Sequence, residues 1–498
     1  MKRKNTNFAA GQNNVFMKGI VGRESEIREL QERYSSDRAQ FVAVYGRRRV
    51  GKTFLIDQAL AGQITFRHAG LSPIDNKQKK NLMKEQLKSF YYSLLSHGMK
   101  KSKCPTSWLE AFFMLEMYLQ SIDDGSRQVV FLDELPWMDT PRSGFVTGLE
   151  SFWNGWGCHR HNFMLVVCGS ATSWMLDNLI NNYGGLYGRL TCEMKLSPFT
   201  LKECEDFFKY KNISLSRYDI VQSYMAVGGI PYYLDYFQRG LSLPQNIDNL
   251  FFVKGAKLYD EYDRLFASVF SRPEEMKRIV KFLSTRRSGF TQEEIAKKTG
   301  ITQGGTLTNM LKALIGSDFV LKYVPFGHSK REEHYKLSDP FCIFYLRYVP
   351  DNSSYTTSFW QESHTSQSIV SWRGFAFEEI CLKHISQIKQ AMGIQGVNTK
   401  QSSWALRGDD EKEGTQIDLI IERADLIVNM CEMKFYGEDF SVDKSYFQKL
   451  NTREKLLTEQ IAKREKVHPV LVTTYGLKYN EYSGVFQRVV TMDDLFAK

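Results

Sequence analysis

The octapeptide Gly46-Arg47-Arg48-Arg49-Val50-Gly51-Lys52-Thr53 constrains the fold of this 498-residue chain more than any other segment. It follows the apolar run Phe41-Val42-Ala43-Val44-Tyr45 and precedes a helical run from Phe54 to Leu60. A short apolar run closed by glycine reads as a buried parallel strand. Strand, Gly-x4-Gly-Lys-Thr and helix, in that order, form a P-loop, whose backbone N–H groups can wrap phosphate oxygens. The two glycines let the backbone turn tightly enough to do so. Lys52 supplies a cation to the β- and γ-phosphates, the Thr53 hydroxyl can ligate Mg²⁺, and the positive end of the following helix favours an anion. Gly46 to Phe54 are therefore expected to bind ATP together with Mg²⁺.

The second half of such a site lies about 80 residues downstream. Val129-Val130-Phe131-Leu132 ends at Asp133-Glu134. An aspartate at a strand end can hold the Mg²⁺ shell beside Thr53, and the adjacent Glu134 can orient and polarise the attacking water. A further apolar run, Phe163 to Cys168, ends at Gly169-Ser170. Ser170 is placed to sense the γ-phosphate or position the water; a plain strand-to-loop turn is the alternative. Arg189, in Leu186-Tyr187-Gly188-Arg189-Leu190, could act on phosphate charge as an arginine finger, or be a surface cation or core ion pair. With Ile64 to Phe66 and Met194 to Phe199 as further strands, the alternation predicts a parallel sheet with helices on both faces.

Beyond Thr200 the pattern changes. Residues 200–272 read as helical and aromatic, interrupted at Gly228-Gly229-Ile230-Pro231. Residues 273–349 read as three helices and a hairpin, with a capping box at Thr291-Gln292-Glu293-Glu294, as in a winged helix-turn-helix. Its second helix, expected from Ile301 to Ile315, carries Lys312 as its one basic residue. That favours backbone contact or a structural role over reading of base edges. A polar linker is expected at Pro350 to Ser354. The last unit, 365–498, is mixed α/β. In it Ile417 to Ile421 reads as a strand and Asn429 to Lys434 as its hairpin partner, with Glu432 and Lys434 on one face by period two. Asp418 and Glu432 could offer oxygens to Mg²⁺, Lys434 could steady a water, and Glu378, on a predicted helix, could add a carboxylate. A hairpin of solvated charges is the alternative. The ATP-binding unit itself is expected to span 19–199.

Composition sets the outer limits. Apolar residues make up 42% and charged residues 24%, as in ordinary globular chains. The longest apolar runs fall far short of the roughly 18 residues that a membrane helix needs, and Met1-Lys2-Arg3-Lys4 leads into polar Asn5 to Asn14 with no signal-peptide core. A cytoplasmic protein without membrane contact is expected. The eight cysteines form no Cys-x-x-Cys pair and read as free thiols. Cys158-His159-Arg160-His161 is the nearest approach to a metal cluster and lacks a second ligand pair. From Tyr355 to Lys498 there are 18 Lys and Arg against 20 Asp and Glu, a net −2, which leaves 48 against 36, or +12, for the first 354 residues. That excess is compatible with a nucleic-acid partner.

Together, Gly22-Arg23-Glu24, the P-loop, Leu132-Asp133-Glu134, Gly169-Ser170, Gly188-Arg189 and Gly228-Gly229-Ile230-Pro231 resemble the archaeal-type ATPases of the wider AAA+/STAND class, over roughly residues 20 to 260. The resemblance implies that Gly22 and Arg23 lie near the adenine and that the Gly-Gly-Ile-Pro segment belongs to a helical lid. It also leaves room for an ATP-dependent homo-oligomer. Asp418 followed by Glu432-x-Lys434 across two strands resembles the PD-(D/E)xK nuclease fold, and more narrowly the C-terminal domain that accompanies these ATPases, over about residues 370 to 480. The Pro that often precedes the aspartate is absent, Gln416-Ile417 standing there. Two functions follow as expectations: an ATP-controlled, metal-dependent nuclease acting on DNA, or a nucleotide switch that binds a nucleic-acid or protein partner without cleaving it.

Overall fold

The computed structural model describes residues 19–72, 81–181, 184–329, 332–352, 358–406 and 415–498. Its first sheet is built from β1 (Gln40–Tyr45), β2 (Ile64–Ala69), β3 (Gln128–Asp133), β4 (Phe163–Gly169) and β5 (Cys192–Lys195). All five are parallel, in the order β2-β3-β4-β1-β5. β3 and β4 are buried along their whole length and β1 along all but its last residue, which is why they read as continuous apolar runs rather than alternating ones. The helices Leu82–Ser96, Trp108–Ser121 and Phe145–Gly155 cover one face with an aromatic layer that includes Phe90, Trp108, Phe112 and Phe145. The opposite face opens into a second cluster that runs on through the rest of the chain.

The fifth strand is displaced from its expected place. It spans Cys192–Lys195 rather than Met194 to Phe199. The Leu196 N–H still donates to the Tyr45 carbonyl at 2.7 Å. Pro198 has no N–H to continue the ladder, and the chain turns into the Thr200/Glu203 capping box of helix Leu201–Tyr210.

Residues 200–272 are helical, broken where expected at Gly228-Gly229. A Cβ on Gly229 would lie 2.0 Å from the Phe199 carbonyl oxygen, so the backbone approach there needs glycine. Next come helices Pro273–Leu283, Gln292–Thr299 and Gly305–Gly316 with a small antiparallel sheet of β6 (Phe290–Thr291), β7 (Val320–Tyr323) and β8 (His334–Leu337), ordered β6-β8-β7. The helix expected from Ile301 begins only at Gly305, because Gly304 sits at φ 143°, outside the helical region. Helix Pro340–Asn352 replaces the first part of the expected linker; residues 353–357 lie outside the described set. Pro350 sits in its last turn, close to where the helix ends, and Phe344 and Tyr348 pin the helix against Trp360 and Trp372.

The last sheet comprises β9 (Thr399–Leu406), β10 (Thr415–Arg423), β11 (Ile427–Lys434), β12 (Lys466–Thr473) and β13 (Arg488–Thr491). Its order is β13-β12-β11-β10-β9, antiparallel from β9 to β11 and parallel from β11 to β13. Helix Gln367–Lys383 packs on β11, and helix Lys444–Thr458 on β10 and β12. Asp409 to Glu413 fall outside the described residues.

Candidate nucleotide site and the acidic edge of the last sheet

The loop after β1, Asp133 at the end of β3 and Ser170 just past β4 meet at the carboxyl edge of the first sheet, the edge at which parallel α/β sheets take their ligands. Gly46 adopts φ 143°, and a Cβ there would lie 2.3 Å from the Leu196 carbonyl oxygen. Gly51, at φ 91°, caps helix Lys52–Ala59. The Lys52 ammonium donates to the carbonyls of Gly46 and Arg47, both at 3.0 Å. Burial pushes its pKa below the usual lysine range, against the pull of Glu134 and Asp133. The Thr53 hydroxyl donates to Asp133 Oδ2 at 3.0 Å. The other Asp133 oxygen accepts the Glu134 N–H at 2.9 Å and the Cys168 thiol at 2.6 Å. Burial, then Asp133, raises that thiol far above its ordinary range, so it stays protonated as a donor. Ser170 binds Glu134 from its N–H and from its hydroxyl.

A cavity of about 670 Å³ adjoins these groups, lined among others by Val21, Arg23, Thr53, Phe54, Tyr210 and Tyr232. Its volume falls within the usual range for a small-molecule ligand. Thr53 and Asp133 present two hard oxygens side by side next to Lys52, a donor set suited to Mg²⁺. Residues Arg49 to Leu55 line the cavity. Gly22 does not, but packs against Glu203; Arg23 bonds the Ser197 carbonyl at 2.6 Å and lies over Phe199. The side chains of Arg47 and Arg48 also turn away. Arg47 pairs with Asp339 and Arg48 lies over the Trp137 ring. Arg189 is exposed, in a turn outside this cavity.

In the last unit, β10 and β11 pair Leu419 with Cys431, so the next pair outward is Asp418 and Glu432. Lys434 approaches Glu432 to 3.4 Å. Asp418 lies within electrostatic reach of both Glu378 and Glu432, and burial followed by repulsion from Glu432 raises its pKa. Glu378 is pushed up to about 8, by burial first and Asp418 second. The four expected residues thus gather at one sheet edge. They do not form a metal cage: no group of three or more His, Cys, Asp or Glu among the described residues is arranged to hold an ion. Glu432 explains part of this. One of its oxygens accepts Arg453 at 2.6 Å and the other Tyr446 at 2.7 Å. Sequence reasoning missed both partners; Tyr446 and Arg453, seven residues apart on helix Lys444–Thr458, share one helix face.

No helix among the described residues is long and apolar enough to cross a membrane. Residues 20–237 match the family model of ATPase domains found predominantly in Archaea. An uncharacterized protein of Methanocaldococcus jannaschii is 25% identical over 419 residues, 80% of this chain and 84% of that protein. Among solved structures, the Walker-type ATPase of Pyrococcus abyssi aligns with TM-score 0.44 and 18% identity, covering 66% of this chain and 96% of that one. The ORC2 protein of Aeropyrum pernix aligns with TM-score 0.43 and 12% identity, covering 67% and 95%. The chain carries an archaeal-type ATPase domain.

Proposed function

We propose that this protein is a DNA-binding, Mg²⁺-dependent ATPase whose nucleotide state controls a nuclease-like C-terminal unit. One observation carries the reading: Lys52, Thr53, Asp133, Glu134 and Ser170, drawn from three separate strand ends, converge beside a single cavity of nucleotide size. In this reading Arg49 to Thr53 wrap the phosphates and Lys52 exchanges its two carbonyl partners for phosphate oxygens. Thr53 and Asp133 would hold the metal, which when bound neutralises charge on the phosphates. Glu134 orients the attacking water and takes up its proton, and Ser170 fixes the Glu134 carboxylate. Arg189, exposed and outside its own chain's cavity, would act on the nucleotide of a second copy in an ATP-dependent assembly.

Glu134→Gln tests this directly. ATP binding should persist while hydrolysis falls at least about 100-fold, the scale of a lost base or water-positioning group. Hydrolysis within a few-fold of wild type would refute the role.

Residues 273–337 support a winged-helix reading by their order of helices and strands. The +12 charge of the first 354 residues supports DNA as partner. For the C-terminal unit the switch is the better-supported function, because Arg453 and Tyr446 already occupy the Glu432 carboxylate. Metal-dependent cleavage is the second reading, favoured by Asp418, Glu432 and Lys434 sharing one edge. Asp418→Ala separates the two: it should abolish any Mg²⁺- or Mn²⁺-dependent DNA cleavage and leave ATP hydrolysis near wild type.

A further inference from the structure

Arg47 lies inside the phosphate-binding loop, yet its side chain reaches across the molecule to a residue 292 positions away. Its guanidinium pairs with Asp339, the two being 2% and 1% exposed. It also lies 4.7 Å above the Phe319 ring. The second Asp339 oxygen accepts the Cys342 N–H at 2.8 Å, in the first turn of helix Pro340–Asn352. Asp339 also follows β8 within two residues, so one carboxylate joins the small sheet of the middle unit to that helix. At the other end, the Arg47 carbonyl accepts the Lys52 ammonium at 3.0 Å. Asp339, the Arg47 side chain, the Arg47 carbonyl and Lys52 thus form one bonded line from the middle unit to the cation of the nucleotide site. The Nε and one terminal nitrogen of Arg47 are buried without a partner, which concentrates the whole interaction on Asp339.

We propose that Asp339 is a positioning residue for the ATPase, which through Arg47 sets the conformation of the phosphate-binding loop and so couples nucleotide occupancy to the middle unit. The proposal rests on the ATPase reading. A charge pair this deeply buried is costly to assemble, and well-packed apolar residues often replace such pairs without loss of stability. Stability alone therefore does not require it in a phosphate loop, whereas coupling does. When Lys52 leaves the Arg47 carbonyl for a phosphate, that peptide group is free to turn, and the turn passes along the buried Arg47 side chain, anchored at its guanidinium, to Asp339. Coupling is reciprocal, so a ligand that shifts the middle unit changes ATP affinity by the same factor.

The test compares full-length wild type, Asp339→Asn and the double variant Arg47→Met/Asp339→Leu. Steady-state kinetics and calorimetric binding would use Mg²⁺ and ATP. The double variant removes both charges, leaves neither unpaired, and so preserves the fold. Both variants should show KM and Kd for ATP raised about tenfold, within the usual range of coupling energies, with kcat within about threefold of wild type because Glu134, Asp133 and Ser170 are untouched. Hydrogen exchange on the unmutated protein supplies a reading free of folding effects: ATP should change the protection of the Cys342 amide. A double variant with wild-type KM and kcat, or a Cys342 amide indifferent to ATP in the wild type, would overturn the proposal. Absence of ATP binding by the wild type would instead overturn the ATPase reading beneath it.

Discussion

Ser170 holds Glu134 by both of its polar groups: its N–H donates to Oε2 at 3.1 Å, and its hydroxyl lies 2.7 and 2.8 Å from the two carboxylate oxygens. Glu134 itself sits at φ 46°, a left-handed conformation that costs a non-glycine residue of order 1 kcal/mol or more. The carboxylate is thus fixed from two sides, by its own backbone and by the next strand end. Ser170→Ala removes one side. Turnover should fall about 10- to 100-fold, the worth of a hydrogen bond to a charged group, while the Kd for ATP stays within about threefold. Unchanged kcat in single-turnover measurements would show that Ser170 is only a turn residue.

Glu432 makes a second prediction. Its carboxylate is 2% exposed and depends on Arg453 for charge neutralisation. Arg453→Ala leaves a buried carboxylate paired only with Tyr446 and with Lys434 at the longer distance. Unfolding in urea should show a loss of about 3–5 kcal/mol, the usual cost of breaking a buried pair from one side. A loss below about 1 kcal/mol would mean that Lys434 can take over the role.

The acidic edge should also be visible in pH dependence. Unfolded, Glu378 titrates near its ordinary value of 4.5; folded, burial and Asp418 hold it at about 8. Between these values the folded chain keeps a proton that the unfolded chain has lost. The associated stability is therefore fully present below about 4.5 and is lost as pH rises through about 8. Chemical denaturation at pH 5 and pH 8 should show this loss, and Glu378→Gln should abolish it. Identical pH profiles for wild type and Glu378→Gln would contradict the arrangement.

The phosphate loop, its acidic partners and the Arg47–Asp339 pair differ in how far the sequence reveals them. The loop from Gly46 to Thr53 is legible because every group that makes it is contiguous, and its strand and helix are announced by burial and by glycine. Asp133, Glu134 and Ser170 are legible because strand ends of a parallel sheet must meet at one edge. The Arg47–Asp339 pair is not, since nothing local to either residue marks a partner 292 positions away. On the sequence, Arg47 is one of three equivalent arginines; in the fold, one pairs with Asp339, one lies over Trp137 and one pairs with Glu261 at 2.9 Å. The displaced fifth strand and the late start of helix Gly305–Gly316 trace to Pro198 and Gly304, single residues whose backbone limits outweigh the apolar pattern around them.

ATP binding by Lys52→Ala, measured by calorimetry with Mg²⁺ present, tests the central claim most directly. Lys52 is a buried cation of the phosphate loop beside Glu134 and Asp133, and its ammonium donates to two backbone carbonyls. Its removal should weaken ATP binding at least about 100-fold, consistent with the loss of a buried charge-assisted contact, while the fold and the Thr53–Asp133 hydrogen bond remain. A Lys52→Ala protein that binds ATP as tightly as wild type would contradict the assignment of this loop as the nucleotide site.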